Sequence, residues 1–200
     1  MIMHLVPEGR LDGVAGRRLI RETGHTLGTV YDTWSGCSYI RDRAVRFRFN
    51  ATDSSGVLVL TDFRDTGAAC VPAALDSYIY SKVSTTPRSF LCRFAVAELE
   101  SWLLADHKGL AAFLRITEST IPKAPEAEEF PKRTLVNLAR RSTKGDIRQA
   151  IVPGLRHESP VAPGYTAAMT DFIENHWNIE AAAVRAPSLQ RCIQRLRELA

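Results

Sequence analysis

Ser54-Ser55-Gly56-Val57-Leu58-Val59-Leu60-Thr61-Asp62 is the stretch that decides the fold. Ser-Ser-Gly reads as a turn, because small polar residues and glycine accept the backbone angles a reversal needs. Four aliphatics then follow with no polar residue between them. A strand that shows one face to water alternates polar and apolar positions, whereas a continuous apolar run suits a strand covered on both faces. Val57 to Leu60 therefore predicts a strand inside a parallel sheet with helices on either side. Asp62-Phe63-Arg64-Asp65 follows, and puts charge at its carboxyl end.

Two further strands lie outward from this one. Met3-His4-Leu5-Val6 stops at Pro7-Glu8-Gly9, and a helix is expected from about Gly13 to Glu22, ended by Thr23-Gly24. Phe90 to Val96 is the third strand, with a helix opening at Glu98. Pro72 suits the first turn of a helix through Leu75, Tyr78 and Ile79. Val45-Arg46-Phe47-Arg48-Phe49 alternates apolar and basic residues, which fits a half-exposed strand or the end of a helix. Pro122 and Pro125 mark a loop, and the chain beyond them is helical in pattern. A helix starts at Pro131, another carries Tyr165, Met169, Phe172 and Ile173, and the last places Leu189, Cys192, Ile193, Leu196 and Leu199 on one face. The expectation is an α/β fold: a mostly parallel sheet flanked by helices over residues 1–121, and an all-helical extension over 122–200 packing on it.

Composition excludes several classes. The 200 residues are 45% hydrophobic and 24% charged, which is unlike a disordered tail or a coiled-coil rod. No apolar run approaches the roughly 20 residues that cross a bilayer, so no membrane partner is expected. Glu8 and Arg10 come too early for a secretory core, and the four cysteines form no CxxC pair, so the chain reads as cytoplasmic. GxGxxG, Walker A, GxSxG and HExxH sequences are all absent, which removes the sequence support for dinucleotide binding, autonomous ATP hydrolysis, a serine-hydrolase elbow and a zinc enzyme. The net charge of +4 says little alone, but its distribution says more. Residues 98–129 hold seven acids and three Lys or Arg; residues 131–157 hold seven bases (Lys132, Arg133, Arg140, Arg141, Lys144, Arg148, Arg156) and one acid, Asp146.

Acids stand after each of the three strands: Glu8 and Asp12, then Asp62 and Asp65, then Glu98 and Glu100. Carboxyl ends of parallel strands share one edge of the sheet, the usual ligand crevice of such folds. Carboxylates gathered there repel one another, and a bound Mg²⁺ or Mn²⁺ relieves that, both being ions that favour oxygen donors. An ion so held beside basic side chains suits phosphodiester chemistry, with Arg10, Arg17, Arg18 and Arg21 near the first helix as phosphate contacts. Each acid has a structural alternative, capping a helix.

Val6-Pro7-Glu8-Gly9-Arg10-Leu11-Asp12 and Val57-Leu58-Val59-Leu60-Thr61-Asp62 resemble the Toprim domain of topoisomerases, primases and OLD-family nucleases. In that family an apolar strand ends in Glu-Gly, and a buried strand ends in Asp-x-Asp. Closer still is a resemblance to a bacterial family of Toprim-like proteins of this length. It rests on RFAVAELESWLLAD (Arg93 to Asp106), PKRTLVNLARRS (Pro131 to Ser142) and APGYTAAMTDFI…HW (Ala162 to Trp177). Several such families are encoded beside an ABC/SMC-type ATPase in phage-defence modules. The resemblance implies a Toprim-like nuclease in which Glu8, Asp62 and Asp65 are catalytic and hold Mg²⁺ (or Mn²⁺). Asp12, Glu98 or Glu100 would complete or orient the site, and Lys132, Arg133, Arg140 and Arg141 would meet nucleic acid or the ATPase partner. An oligomer is compatible with it. One departure leaves two readings open: Arg64 stands where Toprim nucleases place their second acid. Either Asp65 takes that place, or Arg64 replaces the ligand and the chain is a catalytically degenerate module that docks on an ATPase. A small-molecule phosphotransfer enzyme shares the metal site but gives no reason for the basic helices.

Overall fold

The computed structural model describes residues 1–31, 36–154 and 158–200; Arg156 and His157 lie outside the described residues. The chain divides into two units, Met1–Val96 with Gln190–Ala200, and Ala97–Leu189. The boundary expected at 121/122 falls inside the second unit, and the last eleven residues belong to the first.

The first unit is built on four parallel strands, β1 (Ile2–Pro7), β2 (Thr26–Val30), β3 (Ser55–Asp62) and β4 (Phe90–Ala95), in the order β2-β1-β3-β4. Leu5 pairs with Leu58 and Leu58 with Leu91, so the apolar runs are in register across the sheet. Val57, Leu58, Val59 and Leu60 are fully buried, as a strand covered on both faces requires. β2 was not foreseen: Thr26-Leu27-Gly28-Thr29-Val30 is short and mostly half-exposed, as an edge strand can be.

Successive strand residues face opposite ways, so odd and even positions of β3 meet different helices. Helix α1 (Arg10–Glu22) covers the Leu5 side. A Cβ on Gly16 would stand 2.6 Å from Leu5 Cδ1, so glycine lets α1 sit close on β1. The other face carries Val6, Val57 and Val59, which cluster with Ile40 of helix α2 (Gly36–Arg43) and with Ala74 and Tyr78 of helix α3 (Val71–Tyr78). The chain thus leaves β1 toward one face and β3 toward the other. The carboxyl ends of those two strands are therefore the point where the sheet changes direction, the usual place for a ligand in such folds.

Between α2 and β3, Ala44–Asn50 is a 3-10 helix, not a strand. At three residues per turn its positions separate cleanly. Ala44 is buried and Phe47 packs against the core, while Arg43, Arg46 and Phe49 are exposed along another edge.

The second unit is helical among the described residues, with α4 (Leu99–Ala105), α5 (His107–Leu114), α6 (Pro131–Ala139), α7 (Gly145–Ile151), α8 (Tyr165–Asp171) and α9 (Ile179–Ala183). All seven residues of α4 are buried, which makes it the central helix of that unit. Trp102 donates its indole N–H to Ser188 Oγ at 2.7 Å, and Trp177 donates to the Trp102 carbonyl at 3.3 Å. A last helix, α10 (Pro187–Arg197), continues into the first unit. Its apolar stripe is buried as the spacing predicted: Leu189, Cys192, Ile193 and Leu196 are each at most 3% exposed.

Candidate functional site

Glu8 is the residue after β1, and three bonds to the end of β3 hold it there. Its backbone N–H donates to the Leu60 carbonyl at 3.0 Å. Its Oε2 accepts from the Asp62 N–H at 3.1 Å and from the Thr61 hydroxyl. Thr61 is completely buried, so this carboxylate is oriented by the sheet itself. After Asp62 the chain turns through Phe63 into a single 3-10 turn, Arg64–Thr66, which carries Asp65. A carboxylate oxygen of Asp65, a carboxylate oxygen of Glu8 and the Cys37 sulfur all lie within 4.8 Å of one another. Glu8 and Cys37 are half-buried and Asp65 is exposed.

Cys37 comes from the first turn of α2 and had no signal in the sequence. It is one of four dispersed cysteines, and only the crossover from β2 to β3 brings it to Glu8. Tyr78 of α3, 1% exposed, lies close by. Burial, and then the electrostatic influence of Cys37, Glu8 and Cys92, raise its pKa well above the tyrosine range, with Arg41 opposing. Its phenol therefore stays protonated beside the cluster.

The remaining expected residues have other partners. Asp12 caps α1: its Oδ2 accepts from the Gly9 N–H at 3.0 Å, and the residue is 8% exposed. Neither Asp12 nor Asp62 is a member of the Glu8–Cys37–Asp65 group. Arg10 begins α1 and is exposed, and Arg17 is half-buried. Arg18 is engaged within the helix, where its Nε meets Glu22 Oε1 at 2.5 Å.

Glu98 and Glu100 belong to the second unit and have partners there. Glu98 Oε2 accepts from the Lys132 N–H at 3.1 Å, in the first turn of α6, where helix N–H groups lack intrahelical partners. Glu100 is 2% exposed, accepts from the Tyr165 hydroxyl at 2.8 Å and faces Lys132 Nζ at 3.5 Å. Lys132 thus answers both acids. Arg133 stacks over Phe130 at 5.0 Å, and Arg140 and Arg141 are exposed at the end of α6.

The donor set fits a divalent ion. Two carboxylates from adjacent strand ends offer the hard oxygens that Mg²⁺ and Mn²⁺ take, and the thiol of Cys37 adds a soft donor that favours zinc-like ions. Compared with known proteins, the chain matches no family model, no curated protein and no solved structure. Among the described residues no helix is long and apolar enough to cross a membrane.

Proposed function

We propose that this chain is a Toprim-like, metal-dependent nuclease, hydrolysing phosphodiester bonds of DNA or RNA with Mg²⁺ or Mn²⁺ held by Glu8 and Asp65. The observation that carries this reading is the meeting of Glu8 and Asp65 within 4.8 Å, at the strand ends where a parallel sheet changes direction. It favours the reading in which Asp65, one position beyond Arg64, supplies the second acid.

An ion bound there would polarise a phosphoryl oxygen and lower the pKa of an attacking water. The chain's own residues supply the rest. Thr61 and the Asp62 N–H keep Glu8 in one orientation. Exposed Arg10 at the start of α1 offers a phosphate contact. The exposed edge Arg43, Arg46 and Phe49 adds charge and a ring face, the pairing used to track a nucleic-acid strand. Phe49 is 73% exposed, with the Arg48 guanidinium 4.0 Å from its ring centre. The resemblance of the RFAVAELESWLLAD and PKRTLVNLARRS segments supports a role as effector partner of an ABC/SMC-type ATPase in bacterial phage defence.

Incubating the purified chain with labelled DNA and RNA in Mg²⁺ or Mn²⁺ tests this. Glu8→Gln and Asp65→Asn should each cut the cleavage rate at least about 100-fold while leaving the melting temperature near that of the parent. Cleavage that survives both substitutions removes the assignment. Arg64 favours a second reading, a degenerate module that binds an ATPase partner and does not cleave. Co-purification with an ATPase, with no cleavage in either metal, would select it.

A further inference from the structure

The first unit also holds a concavity whose lining includes none of Glu8, Cys37 and Asp65. It is a cavity of about 210 Å³ on the β4 side of the sheet. Leu75, Ile79 and Phe90 form apolar wall, and three arginines line it: Arg88 before β4, Arg93 within β4 and Arg195 of α10. Among the described residues, no carboxylate lines it. Three guanidinium groups around one small space repel each other, the more so where water is scarce.

Arg195 is balanced by its ion pair with Glu198, and the other neighbours add little negative charge. Cys92 lines the cavity, but burial pushes its thiol up to about 12, so it stays uncharged at neutral pH. Cys192 behaves alike, also pushed up to about 12 by burial. Glu198 pairs with Arg195 and receives an Arg88 N–H on its carbonyl at 3.5 Å, but it is not among the lining residues. Arg93 shows the imbalance most plainly. One of its terminal nitrogens donates to the Cys92 carbonyl at 3.3 Å, while its Nε is buried with no hydrogen-bond partner among the described residues. Guanidinium nitrogens donate to phosphate oxygens in strong charge-assisted bonds, so a cavity lined by arginines suits that anion.

We propose that this cavity binds a phosphate monoester, its phosphoryl oxygens accepting from the guanidinium groups of Arg88, Arg93 and Arg195 that line it, with any organic portion against Leu75, Ile79 and Phe90. The site stands apart from the metal centre and does not depend on nuclease activity. Isothermal titration of the full chain at low salt with inorganic phosphate, AMP and adenosine tests it. Phosphate and AMP should bind saturably and adenosine should not. Phosphate alone identifies the inorganic anion as the ligand, and AMP tighter than phosphate identifies a phosphorylated small molecule; both uphold the site. Arg93→Gln should weaken binding roughly 10- to 100-fold, the worth of a charged hydrogen bond. Arg88→Ala alters an exposed side chain, so it carries the test if Arg93→Gln fails to fold. The proposal falls if adenosine binds as well as AMP, if neither phosphate nor AMP saturates, or if Arg88→Ala and Arg195→Ala both leave affinity within twofold.

Discussion

His107 shows how one residue can carry a pH dependence. It is 8% exposed at the start of α5, and its Nε2 pairs with the Pro122 carbonyl at 3.0 Å. Burial chiefly, and then Arg185, lower its pKa; the Pro122 bond, Glu118 and Asp106 oppose them. The folded chain therefore resists a proton that the unfolded chain accepts near pH 6.5. This contribution is fully present above that pH and is lost as pH falls through it toward the lower folded value. In urea titrations from about pH 7.5 to 5.5, His107→Gln should lose less stability than the parent. Equal losses would mean that His107 does not control that range. Glu100 teaches a related lesson: an acid after a strand, read as a metal ligand, is here a buried partner of Tyr165 and Lys132. Nothing in one sequence separates the two roles, because both need an acid beside a base.

At the scale of elements, close packing of α1 on β1 sets where Glu8 emerges. Gly16→Val would drive two methyls into Leu5, whose side chain is fully buried. The expected cost is about 1–3 kcal/mol of stability, read as a lower denaturation midpoint; an unchanged midpoint would show that α1 can move off the sheet freely. The alternation over residues 45–49 leaves a strand and the end of a helix both open, and the structure takes the second: a 3-10 helix, Ala44–Asn50, follows directly on α2. Arg48 is half-buried there, its guanidinium 4.0 Å from the ring centre of exposed Phe49.

At the scale of the molecule, the two units do not follow chain order. Gln190–Ala200 returns to the sheet-bearing unit, where His25 Nε2 lies 2.9 Å from the Leu196 carbonyl. Leu196 is fully buried, so Leu196→Ala should cost about 2–5 kcal/mol in thermal or urea unfolding. A cost below about 1 kcal/mol would mean that the terminal residues add little to that unit. The α/β class, the three principal strands and the helical stripes were legible in the sequence, because burial on two faces or one writes itself into apolar spacing. The acids at strand ends were legible for the same reason, since each follows directly on an apolar run. Their grouping was not. Glu8 and Asp65 are 57 positions apart and meet Cys37 only because β1 and β3 are neighbours and the crossover from β2 passes over them. Composition and period are local quantities that a sequence states outright. Strand order, the length of the turn after Asp62 and the return of the last helix are properties of packing. Those decided which acids meet at the strand ends and which cap or pair within the fold.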